Sequence, residues 1–132
     1  MPAIHHQILI RRTPQAVWDA VRDVAALHSR LVPGFVSKTE LLPDAAAPTR
    51  RVTFANGVVA DEVIVDNDDE RRRLAWTIKG VEHHNGVMTV LDAEEDALVI
   101  WTADILPAEL AARFSPMMAA GLTAMKSHLE KV

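Results

Sequence analysis

The chain has 132 residues, of which 49% are apolar, with a net charge of −4 and no cysteine. This length and composition predict one globular domain over residues 1–132 and exclude a disordered chain. The net charge is negative and the one basic cluster, Arg71-Arg72-Arg73, directly follows an acidic run, so nucleic-acid binding is not expected. The lack of cysteine excludes disulfides and thiolate metal sites.

No apolar run approaches the length that spans a bilayer, and the N-terminus lacks the basic start and apolar core of a secretion signal. The sequence therefore predicts a cytoplasmic protein without membrane insertion. It leaves open whether the chain forms a homodimer.

The first elements are a strand and a helix. Isoleucines on alternate positions predict a strand over about residues 3–11. Thr13 and Pro14 are typical of a helix start, as N-cap and first-turn proline, and the helix is predicted to continue to about residue 31. Its inward face should hold Val17, Val21 and either Trp18 or Val24.

Residues 35–106 carry about six further strands separated by turn signals. Asn56-Gly57 is typical of a hairpin turn, and the acidic-to-basic run over 66–73 indicates a charged hairpin turn. Residues 93–96 separate the last two strands.

From Pro107 the hydrophobic period becomes helical, with one face formed by Met118, Leu122, Met125, Leu129 and Val132. Ser115-Pro116 predicts that this helix begins near residue 116 or is kinked there. It is the only long element available to cover the apolar face of the sheet, and residual space between the two layers would suit an apolar ligand.

This order of elements resembles the Bet v 1-like, START-related (SRPBCC) superfamily, whose bacterial members include polyketide cyclase/dehydrase and lipid-transport proteins. The matching segments are "TPQAVWDAVRDV", "NGVVADEVIVDNDDERRRLAWTI", "DILP" and "GLTAMKSHLEKV". The resemblance implies an α+β helix-grip fold, with a curved antiparallel sheet of six to seven strands wrapped around a long C-terminal helix.

The middle segment most resembles the plant abscisic acid receptors, although the tight turn at Asn56-Gly57 replaces their gate loop. The resemblance places a set of ligand-binding residues on the concave face of the sheet and on the facing helix. They are Glu62, Trp76, Ile78, His84, Met88, Met117, Gly121 and Met125. Matching to the receptors turns Trp101 outward, whereas alternation of apolar residues turns it inward, and we include it in the site.

His84 and Glu62 are the candidates for catalysis. Imidazole titrates near neutral pH, and a carboxylate inside an apolar cavity needs a cation or donor beside it, such as Arg50, Arg51, Lys38 or His84. Two other interpretations stay open. Periodicity allows Glu62 on an exposed face, and His84 could be a core histidine bonded to a backbone carbonyl.

The two adjacent histidine pairs, His5-His6 and His83-His84, both lie on predicted strands. Neighbours on a strand point to opposite faces, so neither pair can share one metal ion, and His83 is assigned to solvent. We predict no metal site and no cofactor, because zinc-binding helical pairs and glycine-rich phosphate loops are missing from the sequence.

The predicted function is binding of a hydrophobic or aromatic small molecule, lipid- or polyketide-like, in an internal cavity. The alternative is a polyketide cyclase/aromatase or dehydratase that uses His84 and Glu62 for proton transfer. A third possibility is a partner-binding protein with a filled core. Contact between His84 and Glu62 would favour the enzyme, whereas a roomy cavity without that contact would favour binding.

Overall fold

One sheet and one long helix make up most of the structure. The computed structural model describes residues 3–43 and 45–131. The strands are β1 (Ala3–Ile10), β2 (Val36–Leu41), β3 (Thr49–Phe54), β4 (Val59–Asp68), β5 (Arg73–Ile78), β6 (His83–Ala93) and β7 (Asp96–Leu106). The helices are α1 (Pro14–Arg22) and α2 (Glu109–Leu129), with a short π-helical segment over Leu27–Leu31. The strands form one antiparallel sheet in the order β1-β7-β6-β5-β4-β3-β2, which confirms the α+β helix-grip prediction.

Helix α1 begins as predicted and ends earlier. The Ala16 amide donates to Thr13 Oγ1 at 3.2 Å, so threonine caps the helix. Trp18 is fully buried, whereas Val24 lies beyond the end of the helix. The prediction of one helix to residue 31 was wrong, because side chains from the sheet bind the carbonyls needed to continue it. Asn67 donates to the Arg22 carbonyl at 3.2 Å, and Arg50 donates to the Val24 carbonyl at 3.3 Å.

The predicted turns connect the strands of the sheet. Gly57 adopts φ 90° between β3 and β4, a conformation that glycine reaches without strain. Between β4 and β5 the Asp68 carboxylate accepts hydrogen bonds from the amides of Glu70 and Arg71. Residues 94–95 form the short connection between β6 and β7.

Helix α2 begins close to the point where the hydrophobic period becomes helical. Its first residue is Glu109 and Pro116 lies within its length, so of the two predicted alternatives a start near residue 116 was wrong. Ser115 does not cap a helix, and its Oγ instead hydrogen-bonds His6 Nε2 on β1 at 2.8 Å. The 21 residues span about 31 Å. The buried face holds Met118, Leu122, Met125 and Leu129, as predicted, whereas Val132 lies outside the described residues.

The core lies between the concave face of the sheet and α2. Its larger part joins α1, the π-helical segment and the sheet to the second half of α2, around Trp18 and Leu122. A smaller part joins β1 and β7 to the first half of α2, around Ile105 and Met118. Within the described residues, none of the helices has the length and apolarity needed to cross a membrane.

Candidate functional site

A cavity of about 750 Å³ lies between the concave face of the sheet, α2 and the π-helical segment, and the exposed residues Val58 and Val59 form part of its lining. All nine residues predicted for the site line it: Glu62, Trp76, Ile78, His84, Met88, Trp101, Met117, Gly121 and Met125. Sequence reasoning missed Phe35 and Phe114, which also line it. Phe35 lies in a turn, where no periodicity assigns a direction to a side chain. Phe114 precedes Met118 and Gly121 by one and two turns of α2, so the helical period could have identified it had the helix not been allowed to begin near residue 116.

A buried ion pair lies in the cavity wall. Arg50 on β3 pairs with Glu62 on β4 across the antiparallel ladder, and Arg50 Nε donates to Glu62 Oε1 at 2.8 Å. Their side chains are 3% and 8% exposed. Glu62 therefore faces the interior, and its compensating cation is Arg50. Arg51 pairs with Asp61 near the surface instead.

Arg50 makes two further contacts that fix its position. Its guanidinium carbon lies 5.6 Å from the ring centroid of Trp76, in a cation–π arrangement. Its Nη1 donates to the carbonyl of Val24 at 3.3 Å. Arg50 thus ties the segment after α1 to the sheet and supports one face of the Trp76 ring.

His84 is held in one protonation state by its surroundings. The ring is buried on the cavity side of β6, while His83 is exposed, so the pair diverges. Desolvation, followed by the charge of His83, lowers the pKa of His84 from 6.5 to about 4, and Asp104 opposes the shift weakly. The Ile78 amide donates to His84 Nδ1 at 3.2 Å. The neutral ring therefore carries its proton on Nε2.

Two tryptophans form an aromatic wall. The ring centroids of Trp76 and Trp101 lie 5.9 Å apart at an interplanar angle of 50°. Trp101 lies on the cavity side of the sheet, in agreement with the alternation of apolar residues. Its Nε1 is the one buried polar side-chain atom in the described residues that lacks a hydrogen-bond partner.

Two glycines let aromatic rings approach the backbone. A Cβ placed on Gly121 would lie 3.1 Å from Trp101 Cζ3 and 3.2 Å from Phe35 Cε2, so the space beside this glycine is filled by rings. A Cβ on Gly86 would lie 2.9 Å from both His84 Cε1 and Trp76 Cε2. Because Gly86 has no side chain, the His84 and Trp76 rings can both pack against its backbone.

The two catalytic candidates are not hydrogen-bonded to each other. Glu62 bonds to Arg50, and His84 bonds to the backbone of Ile78, with no hydrogen bond between the two side chains. Among residues 3–43 and 45–131, no group of three or more histidine and acidic side chains could hold a metal ion.

A curved seven-stranded sheet gripping one long helix, with a cavity between the two, is the architecture of a Bet v 1-like helix-grip protein. The family model described as "polyketide cyclase / dehydrase and lipid transport" matches residues 1–130. The chain belongs to this family. None of the curated proteins matches its sequence.

Several solved structures share this fold. The protein XoxI from Bacillus cereus is 18% identical, with a TM-score of 0.84 over 98% of this chain and 96% of that chain. The Zhui aromatase/cyclase from Streptomyces sp. R1128 is 17% identical, with a TM-score of 0.76 over 98% of this chain and 93% of that chain. Norcoclaurine synthase from Thalictrum flavum, in complex with dopamine and hydroxybenzaldehyde, is 18% identical, with a TM-score of 0.71 over 98% and 84%. At these identities the likeness establishes the fold alone.

Proposed function

We propose that this protein binds a hydrophobic or aromatic small molecule, lipid- or polyketide-like, inside the cavity. The observation that carries the proposal is the cavity itself, with a volume of about 750 Å³ and mostly apolar and aromatic walls. Such a volume lies within the range of small-molecule sites in proteins, where a few fixed polar groups orient the ligand. Here those groups are the Arg50–Glu62 pair and His84.

Native mass spectrometry of the purified protein tests this proposal directly. We expect an adduct with the mass of an apolar ligand, or uptake of an added hydrophobic fluorophore with one-to-one stoichiometry. In Gly121→Leu the larger side chain must push Trp101 and Phe35 into the cavity, since even a Cβ lies within 3.2 Å of both rings. This variant should lose the ligand.

Leu91→Ala is the matched control. Leu91 is an exposed residue on β6 that does not line the cavity, so its truncation should leave binding unchanged. Equal fluorophore binding by the wild type, Gly121→Leu and Leu91→Ala would contradict binding in this cavity.

A cyclase/aromatase or dehydratase is the second candidate, because the family description names cyclases and dehydrases beside lipid transport. The carboxylate of Glu62 would be the proton acceptor, because His84 can accept a proton at Nδ1 only by giving up its bond to Ile78. Exchange of the α-hydrogens of 2-tetralone in D2O, followed by NMR, tests for enolisation without knowledge of the substrate. Exchange that the wild type accelerates and Glu62→Gln does not would support an enzymatic function. Exchange no faster than in D2O without the protein would contradict it.

A further inference from the structure

The Nε2–H group of His84 is a hydrogen-bond donor for which residues 3–43 and 45–131 provide no acceptor. In the described part of the chain, the imidazole of His84 makes one hydrogen bond, which Nδ1 accepts from the amide of Ile78. Trp101 Nε1 is the only polar side-chain atom there that is both fully covered and without a partner. His84 Nε2 also has no partner, but this atom is not fully covered. Because His84 as a residue is buried and lies on the cavity wall, this unpaired N–H is the polar group of the ring that a bound ligand could reach.

The charges around this donor favour a neutral ligand. The positive charge of Arg50 is already compensated by Glu62 at 2.8 Å, so the pair offers no net charge to an anion. His84 itself is uncharged at neutral pH, because its pKa is lowered to about 4. The other cations in the lining, Arg51 and Lys79, are exposed, and Arg51 is paired with Asp61. A carboxylate beside His84 would therefore lose its hydration without gaining a buried cation, which is unfavourable. A ketone, aldehyde, ester or quinone oxygen accepts a hydrogen bond without bringing a charge.

Gly86 fixes where this donor lies. The His84 and Trp76 rings both come within 2.9 Å of the point where a side chain at position 86 would begin. An oxygen bonded to Nε2 would therefore be carried by a group that packs beside the indole of Trp76. Planar aromatic rings suit that surface, since they stack on the face of a tryptophan.

We propose that the cavity selects neutral, planar ligands that carry a carbonyl-type oxygen, which accepts a hydrogen bond from His84 Nε2–H, with Gly86 as the positioning residue. This inference rests on the proposed binding function and adds the chemical class of the ligand. It assigns His84 the role of a donor that distinguishes ligands.

Three compounds with the same ring system test the proposal: 9-fluorenone, fluorene and fluorene-2-carboxylate. Their dissociation constants can be measured through quenching of tryptophan fluorescence, because Trp76 and Trp101 line the cavity. Fluorenone should bind roughly three- to tenfold more tightly than fluorene, which is the effect of one hydrogen bond to an otherwise unpaired donor. The carboxylate should bind more weakly than fluorenone.

Two variants and a control separate the roles of the residues. In His84→Phe the preference for fluorenone over fluorene should disappear. In Gly86→Ala the ratio should also fall toward one, because the displaced imidazole no longer meets the oxygen. Leu91→Ala, on the same strand as His84 but outside the cavity lining, should keep the wild-type ratio. NMR of the wild-type imidazole nitrogens provides a measurement that needs no variant, since fluorenone but not fluorene should shift the Nε2–H resonance.

Each outcome decides between the two proposals. Equal affinity for fluorenone and fluorene in the wild type, or a preference that persists in His84→Phe, would overturn the inference and leave the binding function intact. Tighter binding of the carboxylate would overturn it as well. If none of the three compounds binds while the hydrophobic fluorophore does, the inference fails and the binding function stands; if the fluorophore does not bind either, both fail.

Discussion

Replacing Arg50 by methionine removes one partner of the buried ion pair and leaves the Glu62 carboxylate in the cavity wall. At the observed 2.8 Å, the attraction between the two charges is roughly 6 kcal/mol at an effective dielectric constant of about 20. Much of this attraction only offsets the loss of hydration on burial. Because the side chains are 3% and 8% exposed, removing one charge should cost about 3–5 kcal/mol of unfolding free energy.

The neighbouring pair on the same two strands provides the control. Arg51 and Asp61 form the next rung of the β3–β4 ladder, and their Nε–Oδ1 distance is also 2.8 Å. Their side chains are 45% and 26% exposed, so water screens the interaction. Arg51→Met should therefore cost less than about 1 kcal/mol.

Urea unfolding at pH 7, followed by circular dichroism, measures both free energies. The double variant Arg50→Met/Glu62→Leu should regain most of the loss, because it removes both buried charges at once. Equal destabilisation by Arg50→Met and Arg51→Met would refute the reasoning. So would a double variant that is less stable than Arg50→Met alone.

Three further predictions concern the wall of the cavity. Burial lowers the pKa of His84 from 6.5 to about 4, so the folded state binds fewer protons than the unfolded state between these values. The stability contributed by the neutral ring is complete above about pH 6.5 and decreases by about 3 kcal/mol as the pH falls to 4. Urea midpoints should consequently depend less on pH in His84→Phe than in the wild type. Gly86→Ala should cost about 1–3 kcal/mol by crowding His84 and Trp76, measured by thermal unfolding, and an unchanged Tm would contradict the 2.9 Å contacts. Trp101→Phe should lower the free energy of unfolding less than Trp76→Phe does. The reason is that Trp101→Phe also removes a buried N–H without a partner, and burying such a donor costs about 1–3 kcal/mol. A larger loss of unfolding free energy in Trp101→Phe than in Trp76→Phe, measured in urea, would contradict an unpaired Trp101 Nε1.

The parts of the fold that local patterns specify were predictable. Thr13 before Pro14 predicted a capped helix start, and in the structure the Ala16 amide donates a hydrogen bond to Thr13 Oγ1. Alternation of apolar residues along β7 correctly placed Trp101 on the cavity side. In each case the deciding residues are near neighbours in the sequence.

Features set by distant residues were not predictable in the same way. Helix α1 ends at Arg22, because the carbonyl of Arg22 accepts a hydrogen bond from Asn67 on β4. Arg50 was one of four possible partners of Glu62, and only the β3–β4 register selects it. A shift of one residue would have turned its side chain to the other face of the sheet.

The order of the strands has a consequence for how the chain folds. Within the described residues β1 is an edge strand that pairs only with β7, where Ala3 lies opposite Asp104. The partner of the first strand is therefore synthesised about a hundred residues later. β2 through β7 can assemble as successive neighbours while the chain is being synthesised. Contacts of such high sequence separation form late and slowly. A ribosome that stalls before β7 is complete therefore leaves an unpaired strand, β1, which is open to chaperones and to other nascent chains.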